Sequence, residues 1–130
     1  MKSVEVVAAI IINNERVLCL QRGENRLAYI SKKYEFPGGK IEIGETKEQA
    51  LLREILEELK IEIKVKESFL TVLHQYPDFH LTMHSFICTC ENPHITLTEH
   101  IDFKWLTKSE LEKLDWAEAD VPIVKKLMAI

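Results

Sequence analysis

The stretch Tyr34–Ile63, YEFPGGKIEIGETKEQALLREILEELKIEI, carries both a clearly bounded helix and an arrangement of charge that folding alone does not favour. Thr46 and Gln49 stand at the spacing of a capping box, in which each side chain satisfies a free backbone amide of the other residue, and this predicts a helix over Lys47–Leu59. At 100° per residue, Leu51, Leu52, Ile55, Leu56 and Leu59 share one arc, and Arg53, Glu54, Glu57 and Glu58 share the other. The acids are therefore expected to face outward together, with the small Ala50 among them leaving room for something to approach. Like charges three and four residues apart cost roughly 0.2–0.5 kcal/mol per pair on a helix. One arginine cannot neutralise three carboxylates, whereas a divalent cation can. Carboxylate oxygens without His or Cys partners suit a hard ion, Mg²⁺ or Mn²⁺, which typically holds one or two carboxylates, some waters and substrate phosphates. The competing reading of these residues alone is a solvated acidic face.

Outward from this helix, the 130 residues amount to one ordinary domain, expected to span 1–130, with enough chain to bury a core unaided. Val4–Ile12 and Arg16–Arg22 read as strands joined by a tight hairpin at Asn13-Asn14. Gly23–Lys33 is a polar, irregular and mobile loop leading to Phe36-Pro37-Gly38-Gly39. Beyond the helix, Ile61–Val65, Phe69–Gln75, Phe79–Cys90 and Ile101–Leu106 read as strands, with a turn at Pro77-Asp78. Short helices are expected around Ser109–Leu114 and over Val121–Met128, the latter with Asp120 as N-cap and Pro122 in its first turn. Strands interleaved with helices in this order suggest a mixed sheet covered by helices on both faces.

The formal net charge of −4 removes any overall attraction for polymeric nucleic acid or an anionic membrane. An anionic ligand would need its positive charge from elsewhere. MKSVEVVAAIII at the start is interrupted by Glu5, lacks a small-residue cleavage pattern and reads as a buried strand rather than a signal peptide. No apolar run approaches the ~18 residues of a membrane span. Cys19, Cys88 and Cys90 form no C-x-x-C pair and fit small buried hydrophobes in a reducing cytoplasm.

From Gly39, five residues lead to Glu45, seven more to Arg53-Glu54-Ile55, and one more to Glu57-Glu58, with Ile61 at a final aliphatic place, 23 residues in all. This series resembles the Nudix box, the signature of hydrolases acting on a nucleoside diphosphate linked to another group. One position departs: the family usually has Gly where this chain has Lys60, and a Lys taking the left-handed conformation at a helix end pays roughly 1 kcal/mol for its Cβ. EVVAAII (Glu5–Ile11), EFPGGKIE (Glu35–Glu42), YPDFH (Tyr76–His80) and WAEADVPIVKKL (Trp116–Leu127) extend the resemblance to the MutT-like and CTP pyrophosphohydrolase-like branch. It implies the Nudix fold, an α/β/α sandwich around a central mixed β-sheet.

The resemblance also implies roles. Glu57 and Glu58 would ligate metal with the Gly38 carbonyl, and Glu54 would be a further ligand or would orient the attacking water. Arg53 and Glu45 would pair to brace the loop against the helix, the alternative being that Arg53 lies against phosphate. Glu99 matches an extra catalytic carboxylate of the group, or is a solvated loop acid in LTEHID. Arg22 resembles a substrate-contacting arginine, or is a strand-end charge. Asp78 falls beside the substrate in YPDFH. Phe36 and Phe79 could stack on a base or belong to the core. Asp120 aligns with the base-reading position, where a carboxylate would favour bases that present N–H donors; it could equally serve as the helix cap. The five histidines form no metal-spaced pair and receive no catalytic role. The implied activity is Mg²⁺-dependent hydrolysis of a nucleoside triphosphate, CTP-like or oxidised-purine, to monophosphate and pyrophosphate by a cytoplasmic monomer or homodimer. The alternatives are an ADP-ribose or nucleotide-sugar pyrophosphatase and a non-catalytic nucleotide-sensing domain.

Overall fold

The computed structural model describes residues 1–130. Seven strands, β1 (Lys2–Asn13), β2 (Arg16–Gln21), β3 (Tyr34–Glu35), β4 (Gly38–Lys40), β5 (Lys64–Gln75), β6 (Phe79–Thr89) and β7 (Asp102–Leu106), form one sheet. β1 runs parallel to β6 along its whole length, from Lys2 opposite Phe79 to Ile12 opposite Thr89. All other pairings are antiparallel: β1 with β2 and β4, β2 with β3 and β7, and β5 with β6. The expected mixed sheet is therefore present.

β1 and β2 pair only beside their turn, at Ile12 with Val17 and Asn13 with Arg16, and then part. The segment from β3 to β4 leaves β2 and crosses to β1, where Gly38 pairs with Ala8. The positive φ angles of the turn fall on Asn14 and Glu15, one residue later than the Asn13-Asn14 expected.

Alternation along the strands creates two cores. Val7, Ala9, Ile11, Leu18, Leu20, Phe86 and Cys88 pack against α1 (Lys47–Leu59). Ala8, Ile10, Val17, Cys19, Val72 and Met83 pack on the opposite face against α2 (Val121–Met128) and the preceding Trp116 and Ala119. This is the α/β/α layering expected. The three cysteines are free and buried, and burial pushes the Cys19 and Cys88 thiols up to about 12. They act as small apolar groups.

Three further expectations are corrected. Ile61–Val65 and Phe69–Gln75 are not separate strands: Ile61 and Ile63 are core residues ahead of β5, which is a single strand with irregular register near Val65–Glu67 and Ser68–Leu70. The helix expected near Ser109 is a 3-10 helix over Lys108–Lys113. Asp120 lies before α2 but makes no side-chain cap bond; its carboxylate accepts from the Phe36 amide instead, at 3.1 Å.

Candidate active site

α1 begins and ends where the sequence predicts. Thr46 accepts from the Gln49 amide at 3.1 Å, and Gln49 accepts from the Thr46 amide at 2.9 Å. Lys60 closes the helix in the left-handed conformation, φ 58° and ψ 35°, with its amide donating to the Leu56 carbonyl. The orientation of the helix departs from expectation. Its buried residues are Ala50, Leu51, Ile55, Glu58 and Leu59, whereas Leu52 and Leu56 are 43% and 51% exposed. At 100° per residue the buried arc is turned roughly 70° from the apolar one. Two acids are thereby carried inward: Glu58 is only 7% exposed and the Glu54 side chain 17%. Ala50 meets the core rather than an approaching ligand.

The glycines before the helix make this possible. A Cβ on Gly39 would lie 2.5–2.6 Å from both Glu54 carboxylate oxygens, and one on Gly38 would overlap the Val7 carbonyl. Arg53 secures the other side. Its Nε and Nη2 donate to the two Glu45 oxygens at 2.6 and 2.9 Å, Nη2 donates to the Lys40 carbonyl at 3.0 Å, and Nη1 donates to Glu54 at 3.0 Å. The Arg53 bonds and the Glu42 amide hold the Glu45 carboxyl down to about 2. Glu57 lies outside this clamp, 61% exposed and 3.5 Å from Arg53 Nη1.

The free carbonyls at the end of α1 anchor the next wall. The Thr96 amide donates to the Leu59 carbonyl at 3.0 Å and Thr98 Oγ1 to the Glu58 carbonyl at 2.8 Å. These bonds satisfy groups that a helix end leaves open, and they bring Glu99 beside Glu58. Glu35, Glu54, Glu58 and Glu99 then line one polar cavity of about 390 Å³, with Arg22, Gly38, Gly39 and His100 and no apolar side chain. Burial, then the hydrogen bond to Glu54 and the charges of Glu54, Glu99 and Glu35, push the Glu58 carboxyl up to about 9.

As the side chains stand, no three His, Cys, Asp or Glu residues converge on an ion-sized point. The donor chemistry nevertheless fits a hard cation. The cavity offers carboxylate oxygens without sulfur, and its most buried acid is held against its normal ionisation by burial and then by the other acids, a conflict that positive charge would relieve.

A second cavity, about 230 Å³ and mostly apolar, is lined by Val6, Ala8, Tyr76, Phe79, Leu81, Met83 and Asp120 among others. Arg22, Glu35, Gly38 and Gly39 line both cavities, so the two are ends of one cleft. Phe36 touches this cavity but is itself core, stacked on Trp116 at 4.8 Å. Asp120 is fully enclosed there, and burial, then the nearby Glu35 charge, raise its carboxyl well above the ordinary range. Asp78 stays outside, accepting from the Tyr29 hydroxyl, while the Tyr29 ring stacks on Tyr76.

The cleft thus gathers Arg22, Gly38, Gly39, Glu54, Glu58 and Glu99 at its polar end and Phe36, Phe79 and Asp120 at its apolar end, and Glu57 and Asp78 line neither. No spacing in the sequence marks Glu35 or His100. Their 2.9 Å hydrogen bond joins residues 65 positions apart. The one local signal was Glu35 itself, an acid between two aromatic residues immediately before Pro37-Gly38-Gly39.

A model of the NUDIX domain matches residues 6–126. The chain is 32% identical to the 8-oxo-dGTP diphosphatase of Escherichia coli K12 over 98% of each chain. It is 34% identical to the CTP pyrophosphohydrolase of the same organism, over all of this chain and 95% of that one. The solution structure of the MutT protein from methicillin-resistant Staphylococcus aureus 252, described as a Nudix hydrolase, superposes with a TM-score of 0.76 at 40% identity, covering 99% of this chain and 98% of that one.

Proposed function

Because the chain belongs to the NUDIX domain family and is a hydrolase of that family, we propose that residues 1–130 act as one unit that hydrolyses a nucleoside triphosphate, CTP-like or oxidised-purine, to its monophosphate and pyrophosphate. The observation that carries this reading is the single cleft with an apolar end closed by Asp120 and a polar end lined by five carboxylates, those of Glu24, Glu35, Glu54, Glu58 and Glu99. A nucleotide has the same polarity, base at one end and phosphates at the other. The net charge of −4 makes the acid end hostile to a triphosphate by itself, so the reading requires a cation. Glu54, Glu57, Glu58 and the Gly38 carbonyl would hold Mg²⁺, which when bound neutralises phosphate oxygens and makes water more acidic. Glu57 would turn in from Arg53 to take part.

The chain's own groups supply the remainder. Arg53 holds Glu45 and Glu54 in fixed relation, so the loop and helix cannot separate under the charge gathered between them. Arg22 faces the phosphates at the neck of the cleft, where its unused N–H groups serve as donors. Water attacks the β-phosphorus, the bond from that phosphorus to the oxygen bridging to the α-phosphate breaks, and Glu99 takes the proton. Asp120 and Phe79 meet the base, with Phe36 supporting from beneath, and Asp78 acts from outside the cavity by holding Tyr29 against Tyr76.

Release of nucleoside monophosphate, with and without Mg²⁺, across CTP, dCTP, 8-oxo-dGTP, dGTP, dATP and ADP-ribose, with pyrophosphate as the second product of the triphosphates and ribose 5-phosphate that of ADP-ribose, tests the proposal. A Mg²⁺-dependent preference for one triphosphate by kcat/KM is expected. Preference for ADP-ribose, or silence from folded protein, would overturn it.

A further inference from the structure

Glu35 stands at the neck shared by the two cavities, and neither the metal chemistry nor the base pocket uses it. We propose that Glu35 is the sugar-reading residue, its carboxylate accepting a hydrogen bond from a hydroxyl of the substrate's ribose. This inference rests on the nucleotide reading above, with the base at the apolar end and the phosphates at the polar end.

The geometry begins with β3. Tyr34 and Phe36 are buried in the core beneath α2. The strand is pinned there by the Tyr34 amide on the Asp115 carbonyl at 2.8 Å, the Ala117 amide on the Tyr34 carbonyl at 2.9 Å and the Phe36 amide on Asp120 at 3.1 Å. Alternation along a strand sends the intervening side chain to the other side, which here is the cleft. Arg22 Nη1 donates to Glu35 Oε1 at 3.3 Å and His100 Nε2 donates to Oε2 at 2.9 Å, so each oxygen is held from one direction. A carboxylate has about four acceptor positions, and two are filled. The Glu35 side chain is 20% exposed, so the unfilled positions can meet a ligand.

Its location narrows the ligand group. What joins a base to its phosphates is the sugar, whose hydroxyls are donors. Of the four residues common to both cavities, Glu35 brings the acceptor side chain and Arg22 the donor. An acid beside a triphosphate is repelled unless a donor approaches it, and a ribose hydroxyl supplies one. If Glu35 merely positioned Arg22 toward phosphate, its loss would harm every nucleotide equally.

The test is kcat/KM for the ribo, 2′-deoxy and 2′,3′-dideoxy forms of the preferred base, on the parent, Glu35→Gln and Glu35→Leu proteins, with folding of each confirmed by thermal melting. The parent is expected to favour a hydroxyl-bearing form about tenfold or more, the scale of a hydrogen bond to a charged acceptor. Glu35→Leu should flatten that preference to within about twofold, with Glu35→Gln intermediate, because an amide oxygen is a weaker acceptor. The hydroxyl whose discrimination disappears is the one read. Equal slowing of all three forms would overturn the proposal and leave Glu35 as a positioning residue, as would a parent enzyme indifferent to both hydroxyls. Should the Leu variant not fold, the nearly isosteric Gln variant decides, and an unchanged preference in it overturns the proposal. If the parent hydrolyses none of the three, the nucleotide reading fails and this inference with it.

Discussion

The two α-helices follow different rules. α2 obeys the amphipathic pattern: Ile123, Val124 and Leu127 are buried, and Lys125 and Lys126 are exposed. α1 breaks it, burying Glu58 while leaving Leu52 and Leu56 in the open. Apolar burial drives helix docking at about 25 cal/mol per Å² removed from water, so turning two leucines outward and an acid inward forfeits stability. The difference lies in what holds each helix. α2 is seated by its apolar stripe, with one polar tether where Lys126 donates to the Phe69 carbonyl and lies over the Phe69 ring. α1 is held at one side by Arg53 and Glu45, at its end by Thr96 and Thr98, and against Gly39 by Glu54, and these contacts fix a rotation that serves the cleft. Local conflict of this kind is what a functional site costs its fold.

The contrast can be broken most severely at Glu58. Glu58→Gln should leave the fold intact and reduce Mg²⁺-dependent turnover on the order of 10³-fold, since it removes the carboxylate that the cation and substrate would meet. Turnover within a few-fold of the parent would separate the buried acid from catalysis. Next in size is a matched pair of truncations on the two helices. Leu127→Ala in α2 should cost about 2–5 kcal/mol by denaturant unfolding, whereas the exposed Leu52→Ala in α1 should stay within about 0.5 kcal/mol. Equal costs would mean that α1 is seated by its leucines after all.

A smaller effect belongs to Asp120. Asp120→Leu would leave the Phe36 amide without its partner in a buried place and cost about 1–3 kcal/mol, while Asp120→Asn keeps an acceptor and should cost little. Similar losses in both variants would argue that the carboxyl itself, not its hydrogen bond, is what the fold needs. The smallest change is at Lys60, which holds φ 58° without being glycine. Lys60→Gly should stabilise the protein by about 0.5–1 kcal/mol and leave kcat/KM unchanged; a destabilised variant would place the Lys60 side chain among the contacts that seat α1.

The sequence is informative in proportion to how local each cause is. The bounds of α1 are legible because Thr46 and Gln49 act within one turn, and Lys60 advertises its strained end by standing where glycine is usual. The hairpin is displaced by only one residue, since Asn14 and Glu15 both accept positive φ. Rotation of α1 was not legible, because hydrophobic periodicity treats burial as the only torque on a helix, and here ionic clamps from the preceding loop outweigh it. The placement of Asp120 is illegible for a related reason. An acid before a helix is read as its cap, yet the Phe36 amide, 84 positions away, captures the side chain. Glu35 and His100 stay invisible until β3 and the loop after β6 are brought together. The spacing of Glu54 and Glu58, by contrast, announces charge chemistry from the sequence itself, although the acids face inward rather than out.

The most direct test of the account is the thermal stability of metal-free protein against pH, repeated with Mg²⁺, for the parent and Glu58→Gln. Glu58 has its carboxyl raised from 4.5 to about 9 in the folded state, so its favourable contribution is complete below the unfolded value and is lost as pH climbs through that window. The parent in chelator should therefore weaken from about pH 5 to pH 9 relative to Glu58→Gln, and at pH 8 Mg²⁺ should raise the melting temperature of the parent but not of the variant. Parallel pH curves, or an equal rise with Mg²⁺ in both proteins, would contradict the claim that α1 is turned to hold a buried acid in wait for a cation.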